Sequence, residues 1–365
     1  MYSRARDGPG GPAEFGVYVH VPFCASRCDY CAFATWTDRA QLMPAYAAAC
    51  RAEVRGAGLP PATSVFVGGG TPSLLPGELL CAVLDEIERV SGAEVTVECN
   101  PDTVTAPLLA AYRAAGVTRL SFGVQSMVPS VLEALGRRHT VDNVRRAVAL
   151  AASAGFPTYN VDLIFGAAGE SPDDWRRTLD AVLALDPPPP HVSAYALTVE
   201  PGTPLAADPA RRPDDDDQAG KYLTADAVLC AAGLSWYEIS NWARPGHECR
   251  HNLLYWAQGD YRGIGCAAHS HLAGRRWWNV RTPERYIAAV ESGRSPLAAE
   301  EVLDDGARAV EALQLALRTR AGVPAAALGA ADGLDGLVAP APGARLALTP
   351  RGRLLANEVA LRLRR

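Results

Sequence analysis

Three thiols stand close together in the stretch Cys24-Ala25-Ser26-Arg27-Cys28-Asp29-Tyr30-Cys31. They can meet at one point only if the backbone curls into a loop, which is the geometry of a metal or cluster site. A structural zinc site closes its tetrahedron and would need a distant fourth Cys or His. A 4Fe-4S cluster held by three thiolates leaves one iron open to another ligand. Coincidence is the third reading, and the window alone favours the cluster.

The surrounding elements must then build a pocket over that open iron. Short β-branched or aromatic runs at 17–22, 64–67, 94–98, 119–124, 158–164 and 191–197 read as strands. Helical patterns cover 39–55, 74–90, 104–115, 128–154 (two helices broken near 138–140) and 173–185. Gly56, Gly116 and Gly155 fall where helix C-caps belong, and Ser171-Pro172 reads as an N-cap followed by proline in the first turn. Six βα repeats predict an α/β fold with a parallel sheet, rolled into a partial barrel.

In such a barrel, chemistry gathers at the C-terminal ends of the strands. The cysteines follow the first strand and Gly68-Gly69-Gly70-Thr71-Pro72-Ser73 follows the second. Glu98 ends the third, Gln125 ends the fourth and Asp162 sits within the fifth. Each has a plain structural reading: a turn, a cap, a surface amide. Asp162 resists it most, because an acid in an apolar strand is costly to bury without a partner.

Composition narrows the class. The chain has 365 residues, net charge -5 and dispersed basic residues, so no nucleic-acid partner is expected. Nine cysteines without disulfide-like regularity suit a reducing compartment. No run reaches membrane-span length, and residues 1–14 form a Gly/Pro/Arg arm without a signal-peptide core. A cytoplasmic protein with no transmembrane segment is the expectation.

With Tyr18-Val19-His20-Val21-Pro22-Phe23, the glycine run, Ser121-Phe122-Gly123-Val124-Gln125-Ser126 and Asp162-Leu163-Ile164, the chain resembles a known family. It is similar to the radical S-adenosylmethionine (SAM) proteins related to oxygen-independent coproporphyrinogen III oxidase, most closely the HemW haem-chaperone branch. The likeness runs from about residue 15 to the C-terminus. It implies a (β/α)6 TIM-like radical SAM barrel over 15–205, a linking α+β region over 206–300 and a C-terminal winged-helix-like cap over 301–365. It also implies a 4Fe-4S cluster on Cys24, Cys28 and Cys31, with SAM chelating the open iron. Gly69, Gly70 and Thr71 would take the methionine end of SAM, and Glu98 a cationic or polar part. Gln125, Arg137 and Asp162 would hold the carboxylate and ribose, and Tyr18 and Tyr30 would lie by the cluster. Arg137 also has a plain surface reading, since Arg138 follows it.

One departure bears on function. Decarboxylating oxidases of this family carry a fourth cysteine in C-x3-C-x2-C-x-C, and Phe33 stands in its place here. This favours a haem chaperone over coproporphyrinogen oxidation; a radical SAM enzyme acting on another substrate is the third reading.

In the second half, the acidic run 214–217 reads as a helix start, with a helix running through Cys230 to a stop at Gly233. His251-Asn252-Leu253-Leu254-Tyr255-Trp256 resembles the motif of haem-binding HemW proteins, which makes His251 the candidate iron ligand. Haem would be the cargo, and an acceptor protein of unknown identity the partner. The same motif can be read as a packing element, with Cys249 as a competing thiolate or, less favoured, zinc across His247, Cys249 and His251. Cys266-Ala267 stands where relatives commonly have Pro-Gly. The C-terminal arginines 351, 353, 362, 364 and 365 fall short of a basic recognition helix, so the last domain reads as a cap.

Overall fold

The computed structural model describes residues 14–328 and 333–363; positions 1–13 of the expected arm, with Arg364 and Arg365, lie outside the described residues. The first half runs β1 (Phe15–Val21), α1 (Met43–Ala57), β2 (Ala62–Gly69), α2 (Gly77–Asp85), β3 (Arg89–Cys99), α3 (Ala106–Ala114), β4 (Arg119–Gln125), α4 (Pro129–Ala134), α5 (Val141–Ser153), β5 (Thr158–Phe165), α6 (Pro172–Leu183) and β6 (His191–Ala196). The second half adds α7 (Pro204–Ala207), α8 (Asp215–Ala231), β7 (Ser235–Glu238), β8 (Asn241–Ala243), α9 (Arg250–Trp256), β9 (Asp260–Ile264), β10 (His269–Leu272), β11 (Arg275–Asn279), α10 (Pro283–Glu291) and β12 (Leu297–Val302). It closes with α11 (Asp305–Leu317), β13 (Val323–Pro324), β14 (Val338–Ala341), β15 (Arg345–Leu348), α12 (Pro350–Leu354) and α13 (Ala356–Ala360).

Two compact units share these elements. The first holds the described residues up to Gly123, together with His139–Tyr159 and Gly259–Val302. In it β1, β2, β3 and β4 pair in parallel, and β9 pairs in parallel on the other side of β1. β10, β11 and β12 continue outward as antiparallel strands. Val17, Val19, Val65, Val67, Val95, Val97, Leu120 and Phe122 are all buried. Near-continuous apolar runs are what a parallel sheet covered on both faces requires.

The second unit takes Val124–Arg138, Asn160–Gln258 and the chain from Leu303. Here β5 pairs in parallel with β6, and β8 and β7 follow antiparallel. β13, β15 and β14 form a small antiparallel sheet whose Leu348 and Val323 pack with Leu317, Leu328 and Val359. Among the described residues no helix is long and apolar enough to cross a membrane.

The six expected βα strands are all present. Two local expectations need correction. The helical pattern at 74–90 yields only α2, because Arg89 already pairs with Ala62 and a bulge follows. Gly56 lies inside α1, and the left-handed C-cap is Gly58 at φ 57°. Elsewhere the local chemistry acts as expected: Thr140 and Ser171 each make a capping box, with Pro172 in the first turn of α6.

Ala267 is left-handed at φ 54°, where a side chain is strained. Ala267→Gly is expected to raise the unfolding free energy by about 1 kcal/mol. Urea unfolding of both forms checks this; an unchanged or lower midpoint would show that the loop carries no such strain.

Candidate cluster and cofactor site

The cysteine loop leaves the C-terminal end of β1 and is tied at its base. Trp36 N–H donates to the Pro22 carbonyl (2.8 Å) and Cys24 N–H donates to the Trp36 carbonyl (3.1 Å). Within the loop, Cys31 N–H donates to the Cys28 carbonyl at 3.2 Å. Cys24, Cys28 and Cys31 are partly exposed, and among the described residues, which include all nine cysteines, none forms a disulfide. Burial raises the pKa of the Cys24 and Cys31 thiols above the ordinary cysteine value.

His20 fastens the far side of the loop. Its Nε2 lies 2.9 Å from the Ala34 carbonyl, and its Nδ1 lies 3.0 Å from the Tyr18 hydroxyl. A carbonyl only accepts, so Nε2 carries the proton and Tyr18 donates to Nδ1. Burial lowers the His20 pKa, which keeps this neutral tautomer in place. Tyr18 stacks on Phe66 with ring centroids 6.4 Å apart.

The glycine run passes directly beneath. Gly70 N–H donates to the Val21 carbonyl and Thr71 N–H to the Phe23 carbonyl, both at 2.8 Å. The Thr71 hydroxyl reaches Cys24 Sγ at 3.6 Å. A β-carbon at Gly70 would stand 2.6 Å from the Phe23 carbonyl oxygen and 3.0 Å from Cys24 Sγ. One at Gly69, where φ is 109°, would stand 2.5 Å from the His20 ring. The missing side chains are therefore a requirement of the close approach. Glu98 accepts from Gly69 N–H at 3.1 Å, so at least part of its carboxylate orders the glycine turn.

These groups fit the expected cluster. The thiols are uncrosslinked on a fastened loop, with glycine backbone alongside. Among the described residues no three His, Cys, Asp or Glu side chains converge tightly enough for a single metal ion. A cubane, with its irons at separate corners, takes thiolates that stand further apart. Tyr30, within the loop, is half-buried, and Phe33 is 66% exposed.

The other expected residues belong to the second unit. Gln125 ends β4 at φ 65°, an uncommon conformation for a residue with a side chain. Arg137 follows α4, its N–H donating to the Leu132 carbonyl. Asp162 is half-buried and ends a hydrogen-bond network with one direction. Asn160 Nδ2 donates to Asp162 Oδ1 (2.8 Å), so Asn160 Oδ1 is the atom that accepts from His191 Nδ1–H. His191 Nε2 then accepts from the Tyr237 hydroxyl (2.8 Å), and Tyr237 Oη accepts from Cys249 N–H (3.3 Å).

Cys249 precedes α9, which carries His251. That histidine is 1% exposed; its Nε2 lies 2.8 Å from the Tyr255 hydroxyl, with the rings edge to face. Asn252 donates to Glu238 Oε1 at 2.9 Å, and Glu238 also accepts from Asn241 and from Ser240 N–H. Burial raises the Glu238 pKa. Of the motif, His251 and Leu254 are thus packed inward, and the other four residues are half-buried.

Sequence reasoning quoted His20 within a motif without giving it a role. It also passed over Glu53, which accepts from Arg262 (3.0 Å), Gly265 N–H (3.0 Å), Asn279 (3.1 Å) and Tyr286 (2.6 Å). A signal was available: Tyr46, Cys50 and Glu53 share one apolar helix face, where an acid needs partners.

His20→Phe keeps a ring and removes both hydrogen bonds. It is expected to lower iron and sulfide content after anaerobic reconstitution and to cost about 1 kcal/mol for the lost bond to the Ala34 carbonyl. Iron assay and urea unfolding read the two effects; full iron loading would contradict the fastening role.

Residues 18–182 match the Radical SAM superfamily. Heme chaperone HemW of Mycobacterium tuberculosis (strain CDC 1551 / Oshkosh) is 46% identical over 374 residues, covering 96% of this chain and 94% of its own. HemW of Escherichia coli (strain K12) is 37% identical over 273 residues, 70% of each chain. The solved structure of coproporphyrinogen III oxidase (HemN) from Escherichia coli superposes with a TM-score of 0.81 over 96% of this chain and 90% of that one. At 22% identity that likeness shows the fold, the α/β arrangement of the radical SAM proteins, and nothing finer. Near-full-length identity to the first of these relatives settles the finer kinship: the chain belongs to the HemW family within the radical SAM superfamily.

Proposed function

We propose that the chain binds haem and delivers it to acceptor proteins, with a 4Fe-4S cluster and SAM as resident cofactors. The observation that carries this reading is the extent of the likeness to a protein named as a haem chaperone: 46% identity over 96% of the chain. Phe33 supports it, because the fourth cysteine of the decarboxylating oxidases is missing at that place. Nine cysteines with no disulfide among the described residues support a reducing, cytoplasmic site of action.

In this reading Cys24, Cys28 and Cys31 would hold the cluster, which with SAM bound would supply one-electron chemistry. The chain's own residues position these groups. His20 and Tyr18 hold the loop, and Tyr30 belongs to the loop itself. Gly69, Gly70 and Thr71 offer backbone and a hydroxyl beside Cys24, and Glu98 orders that turn. Gln125, Arg137 and Asp162 keep the carboxylate and ribose assignments given by the resemblance. His251 is the candidate haem-iron ligand, and its Nε2, now 2.8 Å from the Tyr255 hydroxyl, would exchange that contact for iron.

The anaerobically reconstituted chain is expected to bind haem to saturation. With SAM and a reductant, the same preparation is expected to yield no vinyl product from coproporphyrinogen III. Failure to bind haem, or decarboxylation at catalytic turnover, would replace this reading with an enzymatic one.

A further inference from the structure

The buried acids among the described residues are Glu53, Glu170 and Glu238, and two of them have a cation. Glu53 is paired with Arg262 at 3.0 Å, and Glu170 with Lys221 at 3.2 Å. Glu238, 1% exposed at the end of β7, has no cationic partner among the described residues. Its oxygens accept from three neutral donors: Ser240 N–H at 3.2 Å, the Asn241 amide, and the Asn252 amide at 2.9 Å. A shell of donors favours the ionised carboxylate, while burial opposes it and raises the pKa.

A neutral amide at this place would accept from both asparagines at a smaller desolvation cost. The charge is therefore more than a means of holding Asn252, and its position says what it faces. Asn252 follows His251 in α9, so the carboxylate is bonded to the seven-residue helix that carries the candidate iron ligand. Tyr237, the preceding residue of β7, accepts from Cys249 N–H at the start of the same helix. One strand thus fixes the charge and the helix together. Glu248, the other acid beside α9, is already paired with Arg320 at 2.7 Å.

We propose that Glu238 is the buried counter-charge for haem held by His251, and that it makes the chain prefer ferric to ferrous haem. The proposal rests on the haem-chaperone reading and adds an oxidation-state preference to it. The two ring anions of the porphyrin leave a positive charge on ferric iron and none on ferrous iron, and the propionates are the same in both states. A carboxylate in an interior of low effective dielectric therefore stabilises the ferric form selectively.

The test measures the haem midpoint potential of the anaerobically reconstituted wild-type chain and of Glu238→Gln by redox titration at the Soret band. Affinities for ferric haem and for dithionite-reduced ferrous haem are measured alongside. Glu238→Gln is expected to weaken ferric binding at least about tenfold more than ferrous binding, which raises the midpoint by about 59 mV or more. A residue that merely holds α9 in place would weaken both states alike, so an unchanged midpoint would overturn the proposal. Glu238→Asp and Glu238→Asn, matched in size, carry the same comparison if the glutamine form does not fold. The asparagine form is expected to have the higher midpoint, and equal midpoints would again overturn the proposal. A wild-type chain that binds no haem in either state would instead sink the chaperone reading, and this inference with it.

Discussion

One buried histidine fixes the geometry on which the cysteine site depends. His20 sits on β1 and reaches across to the Ala34 carbonyl, closing the cysteine loop from the side opposite its Cys24–Trp36 base. Its ring also fills the space a side chain at Gly69 would occupy, so histidine and glycine are mutually required. Losing the bond would cost about 1 kcal/mol and leave the loop held at one end. A cluster site needs its thiolates arranged before iron arrives, and this contact supplies that arrangement.

A second buried group fixes what lies on the other side of β1. Glu53 on α1 gathers Arg262 from β9, the Gly265 amide, Asn279 from β11 and Tyr286 from α10. Each donor satisfies part of a carboxylate that would otherwise be expensive to bury. The same turn carries Cys266, whose amide donates to Tyr46 and whose thiol is pushed up to about 12 by burial. Fully buried, with Tyr46 donating to its sulfur, it is a core residue. The turn after β9 is therefore set by the interior of α1, far from it in sequence.

Much of this was legible in the chain. The six βα strands were readable because parallel strands buried on both faces are short continuous apolar runs, and the caps at Thr140 and Ser171 carry local signatures. Glu98 at the end of β3 was legible as a polar group on an apolar strand, and it accepts from Gly69 N–H in the glycine turn. Other features are nonlocal and left little trace. The pairing of β9 with β1 joins segments over two hundred residues apart, and no local pattern announces it. The positive φ of Gln125 follows from the turn it makes, not from its side chain. The motif around His251 was readable as ligand or as packing, and only its contacts reveal the inward-facing arrangement with Tyr255 and Glu238.

The central claim is a three-thiolate cluster with one iron left open for SAM. EPR of the reduced, anaerobically reconstituted protein, recorded with and without SAM, tests it most directly. The account predicts a 4Fe-4S signal whose g values shift when SAM is added, and whose intensity is lost when Cys24, Cys28 and Cys31 are replaced by alanine. A signal indifferent to SAM, or a preparation that takes up zinc in place of a cluster, would contradict it.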